Sequence, residues 1–130
     1  MVLILSGAVY LYYKVRAKEV VYEKVETDNT NINSREFNEI IDLAKKNDPA
    51  FVKKFEYAFP DFYQKLTENH PDLTHTHIKI LIYTYFSYTT KDIATFTNTS
   101  VRTVQTHKYR IRKIINIDPE EDLVGWISKL

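Results

Sequence analysis

Basic and hydrogen-bonding side chains are concentrated near the C-terminal end of the chain, where their chemistry suits a polyanion. From residue 74 to residue 117 there are seven lysines and arginines and a single acid, Asp92, a net charge of +6. The part from residue 19 to residue 72 carries twelve acids and seven bases, a net charge of −5. A chain with a total charge of only +1 is therefore strongly polarised. This asymmetry predicts an acidic partner, with nucleic acid as the leading candidate and a solvated basic helix as the alternative.

The residues that would position these side chains predict two helices around a tight corner. A helix that begins near Thr90 buries Ala94, whose small side chain allows a close approach of a second helix. Asn98 follows four residues later, and asparagine tolerates the left-handed conformation that a corner without glycine demands. Ser100 then caps the next helix, and Val104 fills the angle between the two. This pattern describes a helix-turn-helix.

The helix over residues 100–115 has two chemically different faces on a wheel of about 100° per residue. With Val104 turned inward, the wheel directs Val101, Ile111 and Ile115 toward the core and requires Lys108 to extend its ammonium outward. The outward residues are Arg102, Thr106, Tyr109 and Lys113, flanked by Gln105 and Arg110. Glutamine can pair with adenine and threonine can contact the thymine methyl in a major groove. Side chains suited to phosphate oxygens are Lys91, Thr103, Arg110, Arg112 and Lys113.

The remaining chain predicts an all-α fold. Helical spacing of apolar residues and start signals such as Asp48-Pro49 predict short helices in a Phe-rich segment, and Ser34 is a predicted helix cap. The sequence "IKILIYTYF" has the composition of a strand, but its length and its start at Thr74 favour a buried helix. The predicted organisation is an apolar helix (1–22), a linker (23–34), the Phe-rich helical segment (35–70) and the helix-turn-helix (71–130).

The first residues form an uncharged apolar run that ends at three cations. The run "VLILSGAVYLYY" is followed at once by Lys14, Arg16 and Lys18. Twelve helical residues rise about 18 Å, which is short of the roughly 30 Å hydrocarbon core of a membrane. We interpret the run as the cytoplasmic half of a membrane anchor, with membrane contact through residues 1–13 and the basic flank in the cytoplasm. The alternative is a helix packed on the domain or on a second copy.

Three segments in the C-terminal part match one known pattern in register. They are Leu73-Thr74, then Lys91-Asp92-Ile93-Ala94, then Ser100 to His107 in the order "SVRTVQTH". In this respect residues 73–130 resemble the LuxR/GerE-type DNA-binding domain, a four-helix helix-turn-helix. The preceding segment resembles the one found before such domains in membrane-anchored regulators that also carry tetratricopeptide repeats, although the repeats are absent here.

The resemblance implies a transcriptional regulator that reads double-stranded DNA with the helix 100–115. Base contacts are implied for Gln105, Thr106 and Tyr109, to which we add Arg102. His107 matches a family histidine that packs between helices or lies beside a phosphate, and we include it among the expected phosphate contacts. Family members form dimers through the last helix, for which Asp118 and Pro119 supply a predicted start. The expected homodimer interface consists of Leu123, Trp126, Ile127 and Leu130, with packing on the chain's own core as the alternative.

The sequence departs from the family pattern at three places. His77 stands where the family has a glutamate that closes a capping box, so the carboxylate of that box is missing. Thr97 and Thr99 replace apolar residues around the corner. Ile114 stands where the family places a lysine against the phosphate backbone, and the loss of one such contact flattens the salt dependence by about one unit.

Other function classes receive little support. The chain contains no cysteine, so cysteine-based metal sites and disulfides are excluded. His70, His75 and His77 cluster around a helix start without a suitably spaced acid, so we expect no metal and no cofactor. No nucleophile or glycine-rich phosphate loop indicates an enzyme, and no catalytic residue is expected. The rival function is a protein interaction module in which the Phe-rich segment or the last helix binds a partner without DNA binding.

Overall fold

A computed structural model of the chain describes residues 33–130, and within this range the fold is all-α, without a strand. The helices are α1 (Ser34–Lys45), α2 (Ala50–Ala58), α3 (Pro60–Asn69), α4 (His75–Tyr85), α5 (Thr90–Thr97), α6 (Val101–Ile115) and α7 (Leu123–Ser128). The predicted fold class is confirmed for this part of the chain. The predicted apolar helix 1–22 and nearly all of the linker 23–34 lie outside the described residues.

The helix starts are set by short polar side chains that accept backbone N–H groups. Asn33 caps α1, with its Oδ1 2.9 Å from the nitrogen of Glu36, so the predicted cap Ser34 is instead the first helical residue. Asp48 Oδ1 lies 2.9 Å from the nitrogen of Ala50 at the start of α2. Thr74 caps α4, as its place before the apolar run predicts. Each such bond satisfies one of the donors that a helix start leaves without a partner.

Helix α4 is the centre of the molecule. Eight of its eleven residues are buried, on every side of the helix. A helix that is apolar all round must be covered all round, because its exposure to water would be unfavourable. The strand-like composition of "IKILIYTYF" is therefore the composition of a central helix, and the choice of a buried helix is confirmed.

The phenylalanines of the N-terminal helices cover one side of α4. Phe86, directly after α4, makes edge-to-face contacts with Phe37 of α1 and Phe55 of α2, at ring-centroid distances of 5.8 and 5.6 Å. Phe51 lies 5.1 Å from the ring of Tyr83. Such aromatic pairs stabilise a core beyond the area that they bury. One continuous core thus joins the Phe-rich segment to the helix-turn-helix across residue 70.

The last helix packs on α4, and it begins later than the sequence analysis predicts. Asp122 caps α7 through the nitrogen of Gly125, whereas Asp118 accepts the nitrogen of Glu120 at 2.9 Å within a turn. A Cβ at position 125 would lie 2.8 Å from the capping carboxylate, so glycine makes room for this cap. The predicted start at Asp118 and Pro119 is therefore wrong by about one helical turn.

Candidate nucleic-acid interface

The corner between α5 and α6 has the predicted geometry. Asn98 ends α5 in the left-handed conformation, with φ 52° and ψ 45°, and the nitrogen of Thr99 lies 3.0 Å from the oxygen of Ala94. Ser100 then accepts the nitrogen of Thr103 at 3.0 Å and starts α6. Ala94 and Val104 are both buried, which lets the two helices pack closely. The prediction of two helices rather than one rod is confirmed.

The two threonines at the corner, Thr97 and Thr99, form hydrogen bonds through their hydroxyl groups. Thr97 Oγ1 donates to the oxygen of Ile93 at 2.7 Å and lies 2.9 Å from Thr99 Oγ1. Both hydroxyls therefore have partners within the turn. The two threonines therefore contribute hydrogen bonds to the corner, where the family has apolar residues.

The outward face of α6 is open to solvent. All four side chains with predicted base contacts are exposed, and Tyr109 has 59% of its surface accessible. The ammonium of Lys113 lies 4.8 Å from the centroid of the Tyr109 ring, in a cation–π contact. Tyr109 and Lys113 thus form a pair at the second half of the face, while Arg102, Gln105 and Thr106 occupy the first half.

Four cations around this face have no acidic partner in residues 33–130. They are Lys91, Arg102, Arg110 and Lys113, all of them exposed. The ion pairs within that range lie in α1, in α2, between these two helices, and between Lys129 and Glu121. Exposed cations without an acidic partner attract polyanions.

Arg112 is oriented differently from the other predicted phosphate ligands. Its Nη2 donates to the carbonyl oxygen of Glu121 at 2.7 Å and lies 3.3 Å and 3.4 Å from those of Pro119 and Asp118. The guanidinium therefore holds the turn that leads into α7. We reassign Arg112 from a phosphate contact to a structural residue, because its Nη2 is engaged by these carbonyls and its guanidinium is held at the turn.

Lys108 is also turned toward the protein. Its ammonium donates to Thr90 Oγ1 at 2.8 Å, at the first residue of α5. Burial lowers the pKa of this lysine, since desolvation disfavours the charged form. The predicted extension into solvent is thus replaced by a hydrogen bond that ties α6 to α5.

His77 forms a capping box with Thr74, although it lacks the carboxylate that the family glutamate supplies. The nitrogen of Thr74 donates to Nδ1 of His77 at 3.2 Å, and the nitrogen of His77 donates to Thr74 Oγ1 at the same distance. The imidazole is buried, and its pKa is lowered by desolvation and then by the nearby His107 and Arg110. A neutral ring can accept this bond, so the box works through a nitrogen instead of a carboxylate.

His107 lies between helices. Its ring centroid is 5.8 Å from that of His77, in an edge-to-face arrangement. Its Nδ1 is buried and has no hydrogen-bond partner within the described residues. This placement favours the packing role over the phosphate contact that the sequence analysis also considered.

Two apolar residues of α6 depart from their expected surroundings. Val101 was expected to face the core, but 42% of its surface is exposed, so this expectation is wrong. The helical wheel gives the direction of a side chain and not its depth. Val101 is the first residue of α6 and lies at the edge of the core. Ile114 is half-buried and packs against the core, where the family would place a lysine.

The expected dimer residues have unequal exposure. Leu123 and Ile127 are buried against the chain's own core. Trp126 and Leu130 are only partly buried, and Trp126 contacts the ring of His70 at a centroid distance of 5.4 Å. The alternative of packing on the chain's own core therefore applies to Leu123 and Ile127.

Three further observations concern metal sites, membrane spans and similarity to known proteins. Residues 33–130 contain no group of three or more side chains arranged to hold a metal ion. In the same range, no helix has both the length and the apolar character needed to cross a membrane. Comparisons of the chain with protein-family models, with curated proteins and with solved structures find no match.

Proposed function

We propose that this chain is a transcriptional regulator that binds double-stranded DNA and inserts α6 into the major groove. The observation that carries the proposal is the exposed face of α6, on which hydrogen-bonding side chains and unpaired cations lie together beside a helix-turn-helix corner. The resemblance of residues 73–130 to the LuxR/GerE-type domain supports the same assignment. In this arrangement the N-terminal part of the second helix reads base edges.

The roles on this face divide between reading and anchoring. Arg102, Gln105, Thr106 and Tyr109 point outward and are the proposed base contacts. Lys91, Thr103, Arg110 and Lys113 are the proposed phosphate contacts, which fix position and not sequence. Three of these four are cations, so the affinity should fall steeply with salt as each neutralised phosphate releases its counterions.

Salt-dependent DNA binding by the full chain tests the proposal. A selection from random oligonucleotides would identify a target, and fluorescence anisotropy would then give its Kd at several salt concentrations. Lys113→Ala should weaken binding to all duplexes and reduce the slope of log K against log salt by about 0.9. Gln105→Ala should instead reduce the preference for the selected site, by about 1–3 kcal/mol of discrimination.

Lys108→Met provides a matched control on the same helix. Lys108 is five residues from Lys113, but its ammonium is bonded to Thr90. This change removes the same charge and should leave the salt slope nearly unchanged. If Lys113→Ala and Gln105→Ala are both without effect at every salt concentration, the proposal fails and the interaction module becomes the better reading.

One observation does not favour the rival function, the protein interaction module. The phenylalanine rings of α2 and α3 are buried in the core, so these rings do not form an exposed binding surface. The last helix still presents Val124, with 43% of its surface exposed, beside the half-buried Trp126. We assign this side of α7 to the homodimer expected on DNA, and sedimentation of the complex would give its stoichiometry.

Tethering at the cytoplasmic face of a membrane is the remaining part of the proposal. It depends on residues 1–13, which lie outside the described residues. Flotation of the full chain with lipid vesicles, compared with a chain that lacks residues 1–13, tests it. If the full chain stays unbound, membrane contact is excluded.

A further inference from the structure

The first half of the exposed face of α6 carries methyl groups of two residues, Val101 and Thr106. Thr106 is exposed, but its Oγ1 donates to the oxygen of Arg102 at 2.9 Å, one turn back along α6. Because its proton is used on the backbone carbonyl, the hydroxyl cannot donate to a ligand and can only accept. The methyl group is the apolar part of this exposed side chain that a ligand can contact. A threonine that acts through its methyl behaves as a small apolar residue.

Val101 adds a second apolar group to the same surface. It is the first residue of α6, and 42% of its surface is exposed although it is apolar. On a wheel of about 100° per residue, Gln105 lies about 40° and Thr106 about 140° from Val101. The two apolar side chains therefore flank Gln105 on one arc. The arc extends about 7.5 Å along the helix, which fits within a major groove about 12 Å wide.

Gln105 lies between these groups and has no hydrogen-bond partner within residues 33–130. Its amide can therefore donate and accept at once, which is the requirement for pairing with N6 and N7 of adenine. The major groove presents an apolar group only at the C5 methyl of thymine. An amide flanked by two apolar side chains is thus complementary to adjacent A·T pairs.

We propose that α6 recognises a site with adjacent A·T pairs, through Gln105 on an adenine and through Val101 and Thr106 on thymine methyl groups. The inference rests on the proposed DNA-binding function and names the sequence class of its ligand. It assigns a specificity role to Val101, which the helical wheel had directed to the core.

Replacement of thymidine by deoxyuridine tests the proposal, because it removes the C5 methyl and retains every hydrogen-bonding group of the base. Random-oligonucleotide selection with the full chain should return adjacent A·T pairs at the positions that α6 covers. Anisotropy titrations with deoxyuridine at each selected thymine should then show two positions at which Kd rises about fourfold, as expected for one buried methyl group.

Double-mutant cycles, in which a protein variant is combined with deoxyuridine at one of the two positions, show which side chain contacts which thymine methyl. Thr106→Ser keeps the hydroxyl and should abolish the preference for thymine at one position, whereas Thr106→Val keeps a methyl and should retain it. Val101→Ala should abolish the preference at the other position. Thr95→Ser is the matched control, since Thr95 on α5 is also exposed and its Oγ1 also donates one turn back, to Lys91 at 3.0 Å.

The outcomes separate this inference from the proposed function. Specific binding with equal affinity for thymidine and deoxyuridine duplexes, or a selected site without A·T pairs, would overturn the methyl readout and leave the regulator proposal standing. Absence of DNA binding at any salt concentration would overturn both. Circular dichroism of each variant would confirm that these surface changes leave the helices intact.

Discussion

The hydroxyl of Tyr83, in the last turn of α4, donates a buried hydrogen bond to the backbone carbonyl oxygen of Ala44 near the end of α1. The two residues are 39 positions apart in the sequence. Burial raises the pKa of Tyr83 to about 12, so the hydroxyl keeps its proton at any physiological pH. This bond ties α1 to the central helix α4.

Tyr83→Phe should reduce the free energy of unfolding by about 1 kcal/mol, the usual net contribution of one hydrogen bond. The cost stays small because the oxygen of Ala44 also accepts the nitrogen of Asn47 at 3.0 Å and is not left without a partner. Urea denaturation measures the difference. Tyr57→Phe is the control, since Tyr57 is 90% exposed and its change should be neutral. Equal effects of the two variants would contradict this role of Tyr83.

Asn98→Ala should destabilise the protein by about 1 kcal/mol, because a Cβ without a local hydrogen-bonding group disfavours the left-handed conformation. Asn98→Gly should lie within about 0.5 kcal/mol of the parent, since glycine adopts this conformation without steric cost. Thermal unfolding followed by circular dichroism compares the two variants. Asn69→Ala, at an exposed position inside α3, should be harmless. A greater loss for Asn98→Gly than for Asn98→Ala would contradict the role of the corner.

The local parts of this corner were predictable from the sequence because they depend on rules of short range. Asparagine, serine and an alanine at fixed spacing suffice to define a left-handed end, a cap and a close approach. The start of α7 was not predictable in this way, since Asp118 and Asp122 both satisfy the rules for a cap. The space at Gly125 and the hold of Arg112 on the preceding carbonyls decide between them, and both depend on the folded structure.

The same limit applies to the candidate site. The wheel correctly gave the outward face of α6, because helix periodicity is fixed. It could not show that the core ends before Val101, or that Arg112 turns toward a loop that lies later in the chain. The family pattern also predicted that His77 would not complete the capping box. An imidazole nitrogen can, however, accept the same hydrogen bond as a carboxylate.

The stability of the protein should decrease at acidic pH through His77. The pKa of this histidine is lowered in the folded state, so the unfolded state binds its proton more readily. Its contribution is therefore complete above about pH 6.5 and is lost as the pH falls below that value. Protonation would also place a hydrogen on the nitrogen that accepts the N–H of Thr74, next to the positive charge of Arg110.

Urea denaturation at pH 7.5 and pH 5 measures this dependence. His77→Gln retains an acceptor for the capping box without a titrating group, so its stability should fall less between the two pH values. His75→Gln is the control, because His75 is exposed in the same helical turn and should behave like the parent. The assignment to His77 is refuted if His77→Gln loses as much stability on acidification as the parent does.

Arg112→Ala should reduce stability by about 1–2 kcal/mol, because it removes a charged donor from carbonyls of the turn before α7. Its effect on the salt slope of DNA binding should be smaller than that of Lys113→Ala. Arg112→Lys keeps the charge but lacks the planar fork, so it should recover only part of the stability. Hydrogen exchange of the amides in α7 would locate the change. If Arg112→Ala reduces the salt slope as much as Lys113→Ala does and leaves the stability unchanged, Arg112 is a phosphate contact after all.

The burial of α4 on every side limits how this protein could be divided or recombined. A fragment that begins at residue 71 would leave the rings of Tyr83, Tyr85 and Phe86 facing water, and we expect such a fragment to aggregate. A chimera that contains the part from α4 to α7 would also have to contain the three preceding helices, α1, α2 and α3. The unit that can be inherited or transplanted therefore begins near residue 34, well before the segment that carries the resemblance.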